Sequence, residues 1–417
     1  MAIATDRANV GAARAPFAPR ALCIDIETAH DDPFRLHKLA AWRSDTGVEL
    51  LALSRRACEE AAGRLDALAQ GAACVLGHNI LQHDLPVLAR HFPSLRLHDL
   101  PVVDTLLLSP IAFPQNPYHR LVKDYRLVRD ARSDPLRDAR LALQLWHEQK
   151  QAFEVLGRES ADELACHHYL LNCDRRLGVG ALFAVLRHAL VPPMHHVRAA
   201  LARLVTGKVC ATQVDAVLDA CLADPELALP LAYLLAWLRV SGGNSVIPPW
   251  VRLQFPRVRE LQRRLRDTAC QAAACGYCRE RMDPRRELER HFGFASFRAE
   301  PRTAEGGSLQ EAIVRAAYAR RSLLAILPTG GGKSLCYQLP GLSSHWRNGG
   351  LTVIVSPLQS LMKDQVDNLV RQGVYTTAAL NGLLSMPERR VVLDGLRLGD
   401  VGVVLVSPEQ FRNRSFP

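Results

Sequence analysis

The sequence predicts a multidomain α/β protein, and three observations carry that expectation. A glycine-rich turn, Thr329-Gly330-Gly331-Gly332, stands between an apolar run and a helix start. Near the N-terminus a short apolar strand, ALCIDIET at 21–28, carries two carboxylates on one side. Between these stretches the chain is rich in Leu, Ala and Arg with a helical pattern. A chain of 417 residues is long enough for about two or three domains, each burying its own core.

Composition narrows the class. Hydrophobic content of 48% and charged content of 23% are those of a globular protein. A formal charge of +10 suits a polyanionic partner, although a solvated Arg-rich surface gives the same figure. The 11 cysteines follow no secreted framework pattern, so a reducing cytoplasm is the expected location, nucleoid-associated in a bacterium. The longest apolar run, 227–238, contains Pro230 and is too short to span a bilayer, so no membrane partner is expected.

Taken in order, residues 1–19 read as a disordered lead-in and 20–150 as a first domain. Alternation on a strand puts Asp25 and Glu27 on one side, with Ile24 and Ile26 facing a core. Two neighbouring carboxylates repel and desolvate each other unless a cation lies between them. AACVLGHN at 72–79 reads as a strand running into a turn, with Asn79 capping a helix over 80–92 that carries Asp84. In SDPLRDA at 133–139, Pro135 suits a first helical turn and Asp138 follows on the same helix. DIET, GHNILQHDLPVL and this late Asp-Ala helix resemble, in order and spacing, the DEDD family of 3′→5′ exonucleases. That resemblance implies a ribonuclease-H-like fold in which Asp25, Glu27, Asp84 and Asp138 hold two Mg²⁺ or Mn²⁺ ions about 4 Å apart. Where the family carries a water-orienting His or Tyr, this chain has Ser133 and Asp134, which makes Asp134 a candidate base or extra ligand and His119 another. The competing reading is a metal-free relic that binds DNA ends.

Residues 151–269 read as a helical connector broken at VPP (191–193) and SGGNSVIPP (241–249). His167, His168, His195 and His196 are scattered helix histidines, expected to be structural or solvated. Basic residues from Arg252 to Arg266, interleaved with Trp250 and Phe255, suit either phosphate tracking or a solvated helix face. Residues 270–291 read as a cysteine knuckle. Cys270, Cys275 and Cys278 suit tetrahedral Zn²⁺, with His291 or a distant Cys as the fourth ligand. The same spacing occurs at iron–sulfur sites, and three plain reduced thiols are the remaining alternative.

Residues 292–417 hold the glycine turn. The run LLAIL at 323–327 reads as a short buried parallel strand, and Thr329, Gly330, Gly331 and Gly332 as a turn that only glycine fits comfortably. A helix starting beyond it would aim N–H groups and a positive helix end at a polyphosphate. Lys333 would reach its β- and γ-phosphates and the Ser334 hydroxyl would hold Mg²⁺, which makes ATP with Mg²⁺ the expected ligand. Leu327 stands where the strict motif has its first Gly. FGFASFR (292–298), the glycine turn, VIVSPLQSLMKDQV (353–366) and VLVSPEQF (404–411) resemble, in that order, the RecQ family of DNA helicases. That resemblance implies a RecA-like motor lobe, DNA as partner and Gln310 as adenine reader, twelve positions after Arg298 where the family has a closer Gln. No Asp-Glu-x-His pair follows Lys333 in these residues, so the motor reads as truncated and ATP binding without appreciable turnover is expected.

Together these readings give an exonuclease domain, a connector and a partial helicase lobe, similar to the pairing in Werner-type helicases, acting on single-stranded DNA or 3′ ends. The alternatives from other classes are a DNA-end-binding module without hydrolysis and a nucleotide-gated interaction protein.

Overall fold

A computed structural model describes residues 20–29, 31–115, 134–173, 177–240, 247–270 and 272–412. The proposed lead-in 1–19, His119 and Ser133 lie outside the described residues. The chain divides into two compact units: Met1–Phe113, His119–Leu204 and Leu218–Ala236 form one, and Pro114–Tyr118, Val205–Val217 and Trp237–Pro417 the other. Residues 205–217 and 237–269, read above as connector, thus belong with the glycine turn.

The first unit is built on a mixed sheet. Its strands are β1 (Ala21–Ala29), β2 (Asp32–Arg43), β3 (Glu49–Ala52), β4 (Cys74–Gly77) and β5 (Val102–Asp104), in spatial order β3-β2-β1-β4-β5. β1, β2 and β3 form an antiparallel meander, whereas β4 and β5 run parallel to β1. Helices α1 (Arg55–Ala69), α2 (Asp84–His91), α3 (Thr105–Ala112), α4 (Pro135–Glu159), α5 (Ala161–Asn172), α6 (Gly180–Arg187) and α7 (Met194–Val205) follow in chain order around these strands. Helix α1 is amphipathic: Cys58, Ala61, Leu65 and Ala69, spaced by three or four, enter the core beside Leu22, Ile24 and Ile26. Ser54 caps it by accepting a hydrogen bond from the Ala57 N–H. His167 and His168 are fully buried in α5, with Arg187 2.8 Å from His168 Nδ1 and Glu163 3.6 Å from His167 Nε2.

One expectation in this unit fails. No helix covers 80–92; α2 starts at Asp84, with His83 at the cap position and no side-chain cap bond. Asn79 instead occupies a left-handed turn with φ of 64°. The buried Asp104 carboxylate accepts the N–H groups of Asn79 and Leu81, at 2.9 and 3.1 Å, and so holds the 79–83 turn out of the helix.

In the second unit helices α8 (Ala211–Ala223), α9 (Ala228–Val240), α10 (Pro249–Gln254), α11 (Arg257–Arg266), α12 (Gly276–Arg281) and α13 (Pro284–Phe292) lead in, the first two contributing only part of their lengths. Then come α14 (Leu309–Tyr318), α15 (Lys333–Asn348), β6 (Thr352–Val355), α16 (Gln359–Arg371), β7 (Thr377–Leu380), α17 (Met386–Leu398) and β8 (Val403–Val406). The three strands are parallel in the order β6-β8-β7. Central β8 is buried throughout and all valine and leucine, as a strand covered on both faces requires. Helix α15 packs on β6 and β8 at Gly341, where an added Cβ would come within 3.1 Å of Val403 and 3.2 Å of Thr352. Among the described residues no single helix is long and apolar enough to cross a membrane.

Two expectations for this unit are corrected. Residues 323–327 form no strand: Leu323, Leu324 and Ile326 are exposed and only Leu327 is buried, against Ile313 and Cys336. An isolated apolar run gains strand geometry only from ladder partners, and β6, β7 and β8 pair with one another instead. The basic stretch from Arg252 to Arg266 is not uniformly outward-facing. Arg266 is 1% exposed and lies among the rings of Trp237, Tyr277 and Trp346, so it can neither track phosphate nor solvate a helix face.

Candidate functional site

In the first unit the acidic residues gather around β1. Strand alternation sends Ile24 and Ile26 into the core and leaves Asp25 and Glu27 half-buried on the other side. Glu27 lies opposite Lys38 in the β1–β2 register, and its Oε2 pairs with Lys38 Nζ at 2.6 Å. The other oxygen, Oε1, is buried and has no hydrogen-bond partner among the described residues. Asp84 opens α2, is 3% exposed, and its Oδ1 accepts the Ile26 N–H at 2.8 Å. That bond ties α2 to β1 beside Asp25 and Glu27. Burial pushes the Asp84 carboxyl up, against the pull of His83 Nδ1, 3.5 Å from Oδ2; the same contact raises His83. Asp138, also buried, sits in the first turn of α4, which packs on β1.

Asp134, the candidate base, has a structural task. As N-cap of α4 its Oδ1 accepts the N–H groups of Leu136 and Arg137, with Pro135 at the first helical position as expected. Sequence reasoning passed over Asp104, which is fully buried and also accepts the Leu106 N–H at 3.0 Å as the cap of α3. Burial pushes it up to about 6 in spite of its backbone N–H donors. The signal was present: an Asp-Thr pair ending an apolar run is a helix-start pattern.

In the second unit the glycine turn leads directly into α15. Gly330 and Gly332 have φ of 81° and 77°, the left-handed region that side chains disfavour. Lys333 and Ser334 therefore form the first turn of α15, Lys333 exposed to solvent. A Cβ on Gly332 would collide with Gln310 Nε2 at 2.3 Å. Gln310 is 4% exposed and both ends of its amide are engaged: Oε1 accepts the Arg298 N–H at 3.1 Å and Nε2 donates to the Gly332 carbonyl at 3.0 Å. Arg298 also donates to the Gly330 carbonyl. The 292–298 motif and Gln310 thus brace the turn from behind. In front, the Tyr337 hydroxyl bridges Ser334 Oγ at 3.3 Å and Gln365 Oε1 at 2.9 Å, linking the turn to α16.

The cysteines converge more than sequence spacing alone could show. Cys210, Cys270, Cys275 and Cys278 place their sulfurs within 4.8 Å of one another, and among the described residues no other set of three or more Cys, His, Asp or Glu does so. The fourth member is the distant Cys210, not His291, whose Nε2 lies 3.2 Å from the buried Glu287. A hydrogen bond with Thr212 is the first cause drawing the Cys270 thiol down to about 6, whereas burial pushes Cys278 and Cys210 up.

Residues 308–415, which include the glycine turn and the whole β6-β8-β7 sheet, match the DEAD/DEAH box helicase family. The chain is 45% identical over 107 residues to the probable ATP-dependent DNA helicase RecS of Bacillus subtilis, covering 26% of this chain and 19% of that relative. Part of the chain is thus similar to RecQ-type helicases. ATP-dependent DNA helicase RecQ of Synechocystis is 46% identical over 100 residues, 24% of this chain and 20% of the relative. RecQ of Bacillus subtilis is 38% identical over 129 residues, 31% and 20% of the two chains. The chain spans about a fifth of the length of these curated relatives. The family-matched segment 308–415 includes the glycine turn that presents Lys333 and Ser334.

Proposed function

We propose that this chain combines the nucleotide-binding part of a RecQ-type ATP-dependent DNA helicase with a metal-dependent 3′→5′ exonuclease unit. One observation carries the helicase half: a left-handed glycine turn, braced by Gln310 and Arg298, delivers Lys333 and Ser334 at the start of α15. The N–H groups of that turn and the helix start would receive the phosphates, Lys333 would neutralise the β- and γ-oxygens, and Ser334 Oγ would meet Mg²⁺. Glycine is required at 332 because an added Cβ would strike the bracing Gln310 amide. Tyr337 would report the state of Ser334 to Gln365 on α16. The test is nucleotide affinity: Lys333→Ala should weaken ATP·Mg binding by about tenfold or more, equivalent to about 1.4 kcal/mol. Equal affinity of the two proteins in a fluorescent-nucleotide titration would overturn the assignment.

The exonuclease half is supported by the sheet order β3-β2-β1-β4-β5, which suits a ribonuclease-H-like unit, and by Asp25, Glu27, Asp84 and Asp138 around β1. The unpartnered Glu27 Oε1 fits a cation, since a buried carboxylate oxygen left without a donor is costly. Bound Mg²⁺ or Mn²⁺ would supply the charge that stabilises the attacking and departing oxygens of phosphodiester hydrolysis. Lys38 holds Glu27 Oε2 and fixes the orientation of its carboxylate, and the Ile26 N–H does the same for Asp84. The DNA-end-binding alternative draws on one observation, that Asp134 is engaged as a helix cap rather than free to orient water.

A further inference from the structure

We infer that Cys210, Cys270, Cys275 and Cys278 form a mononuclear tetrathiolate Zn²⁺ site that anchors the C-terminal end of the helicase-turn helix α15. A tetrahedral Zn²⁺ with bonds of about 2.3 Å sets its sulfurs ~3.8 Å apart. Here Cys275 and Cys210 Sγ are 4.0 Å apart, and all four sulfurs lie within 4.8 Å of each other. The alternatives need other spacings. A disulfide requires about 2.05 Å, and all four cysteines are free thiols. An iron–sulfur cluster spreads its ligating sulfurs further, because they bind different irons around bridging sulfides.

The surroundings are those of a metal knuckle. The Cys270 N–H points at Cys278 Sγ at 3.5 Å and Thr212 Oγ1 lies 3.2 Å from Cys210 Sγ, the kind of outer bonds that orient thiolate ligands. Cys275, Cys278 and Cys210 are buried, and Met282 and Trp346 pack on them. The ligands come from three places: the start of α8, the segment after α11, and α12 with its preceding residue. The apolar cluster here is small, Tyr277, Met282 and Trp346 beside the four cysteines, so the metal would add a cross-link to a small core.

Trp346 makes the connection to α15. It lies in the last turn of that helix, on the cysteine cluster and against the guanidinium groups of Arg266 and Arg281, 4.8 and 3.5 Å from its ring centre. Arg266 reaches from this cage to the carbonyls of Lys208, Trp346 and Arg347 at 3.0, 3.3 and 2.7 Å. The Cys210 N–H in turn donates to the Leu265 carbonyl at 2.7 Å. Losing the metal would therefore loosen residues 205–212 and the end of α15 together, whereas the opposite end, at Lys333 and Ser334, is braced independently by Gln310.

The test uses the full chain purified under reducing conditions without added chelator. Elemental analysis should find close to one Zn²⁺ per chain. Co²⁺ exchanged into the protein should give intense tetrahedral d–d bands and sulfur-to-metal charge transfer. Cys210→Ser should weaken Zn²⁺ retention by about a hundredfold in competition with a chromogenic chelator, and Cys173→Ser, outside the cluster, should leave it unchanged. Hydrogen exchange after metal removal should accelerate at 205–212 and 344–349 but not at 333–336. Folded wild-type protein that carries no metal and takes up no Co²⁺, or Cys210→Ser that retains Zn²⁺ undiminished, would overturn the site. Metal loss with unchanged exchange at 344–349 would overturn the anchoring.

Discussion

Two tetrads of potential metal ligands can be compared in this molecule, and they are built in opposite ways. The four thiols of the second unit converge within 4.8 Å, with Thr212 Oγ1 and the Cys270 N–H beside them. Around β1 of the first unit, by contrast, protein partners already hold the acids: Glu27 has Lys38, and Asp84 has the Ile26 N–H and His83. The difference teaches what each site demands of its metal. A converged tetrad in a small core would lean on the ion for its fold, whereas carboxylates already held by backbone and lysine would need an ion only for the proposed chemistry. Metal removal should thus lower the stability of the second unit and leave that of the first nearly unchanged. Differential scanning calorimetry with and without a chelator checks this, and equal shifts of two transitions would erase the contrast.

Substitutions sharpen the contrast, from the largest effect downward. Arg266→Ala strips three carbonyls of their donor and opens a cavity among Trp237, Tyr277 and Trp346. It should cost roughly 3–5 kcal/mol, seen as a lower denaturation midpoint of the second unit. A loss below about 1 kcal/mol would show that the cage is not a keystone.

Asp104 gives the pH arm. Its folded value, near 6, is above the ordinary carboxylate value of 3.8, so folding favours its protonated form. That contribution is fully present below about 4 and is lost as pH rises through about 6, amounting to on the order of 3 kcal/mol. Compared with the unmodified chain, Asp104→Asn should flatten the stability profile between these limits. Parallel profiles would contradict the burial argument.

The smallest effect separates the helix cap from the chemistry. Asp134→Ala should cost about 1 kcal/mol of stability, the usual cap value, and leave any nuclease rate within about twofold. Asp134→Asn should restore the cap. A large rate loss in the Asn variant, with stability intact, would return Asp134 to the role of base.

The sequence was legible where one local pattern determines the outcome. Alternation placed Ile24 and Ile26 in the core, Pro135 marked the start of α4, and the triple glycine marked the start of α15. It was not legible where distant residues decide. Cys210 joins the knuckle across 60 residues of chain, a pairing that spacing within 270–278 cannot reveal. Apolarity at 323–327 suggested a strand, but strands exist through partners, and none of the described strands pairs there. Asn79 looked like a helix cap until Asp104, from the next strand, captured its N–H. The β2–β3 pair escaped notice because the exposed first four residues of β2, from Asp32 to Arg35, carry a proline and break the apolar alternation.

The central claim is that the acids around β1 work as a metal-dependent nuclease without help from the helicase turn. The direct measurement is nucleotide release from a 3′-labelled single strand by the full chain across a Mg²⁺ and Mn²⁺ titration, beside Asp25→Ala and Lys333→Ala. Metal-dependent trimming from the 3′ end should appear, fall to background in Asp25→Ala and persist in Lys333→Ala. No release at any metal concentration, with DNA binding retained, would contradict the claim and leave a module that only holds DNA ends.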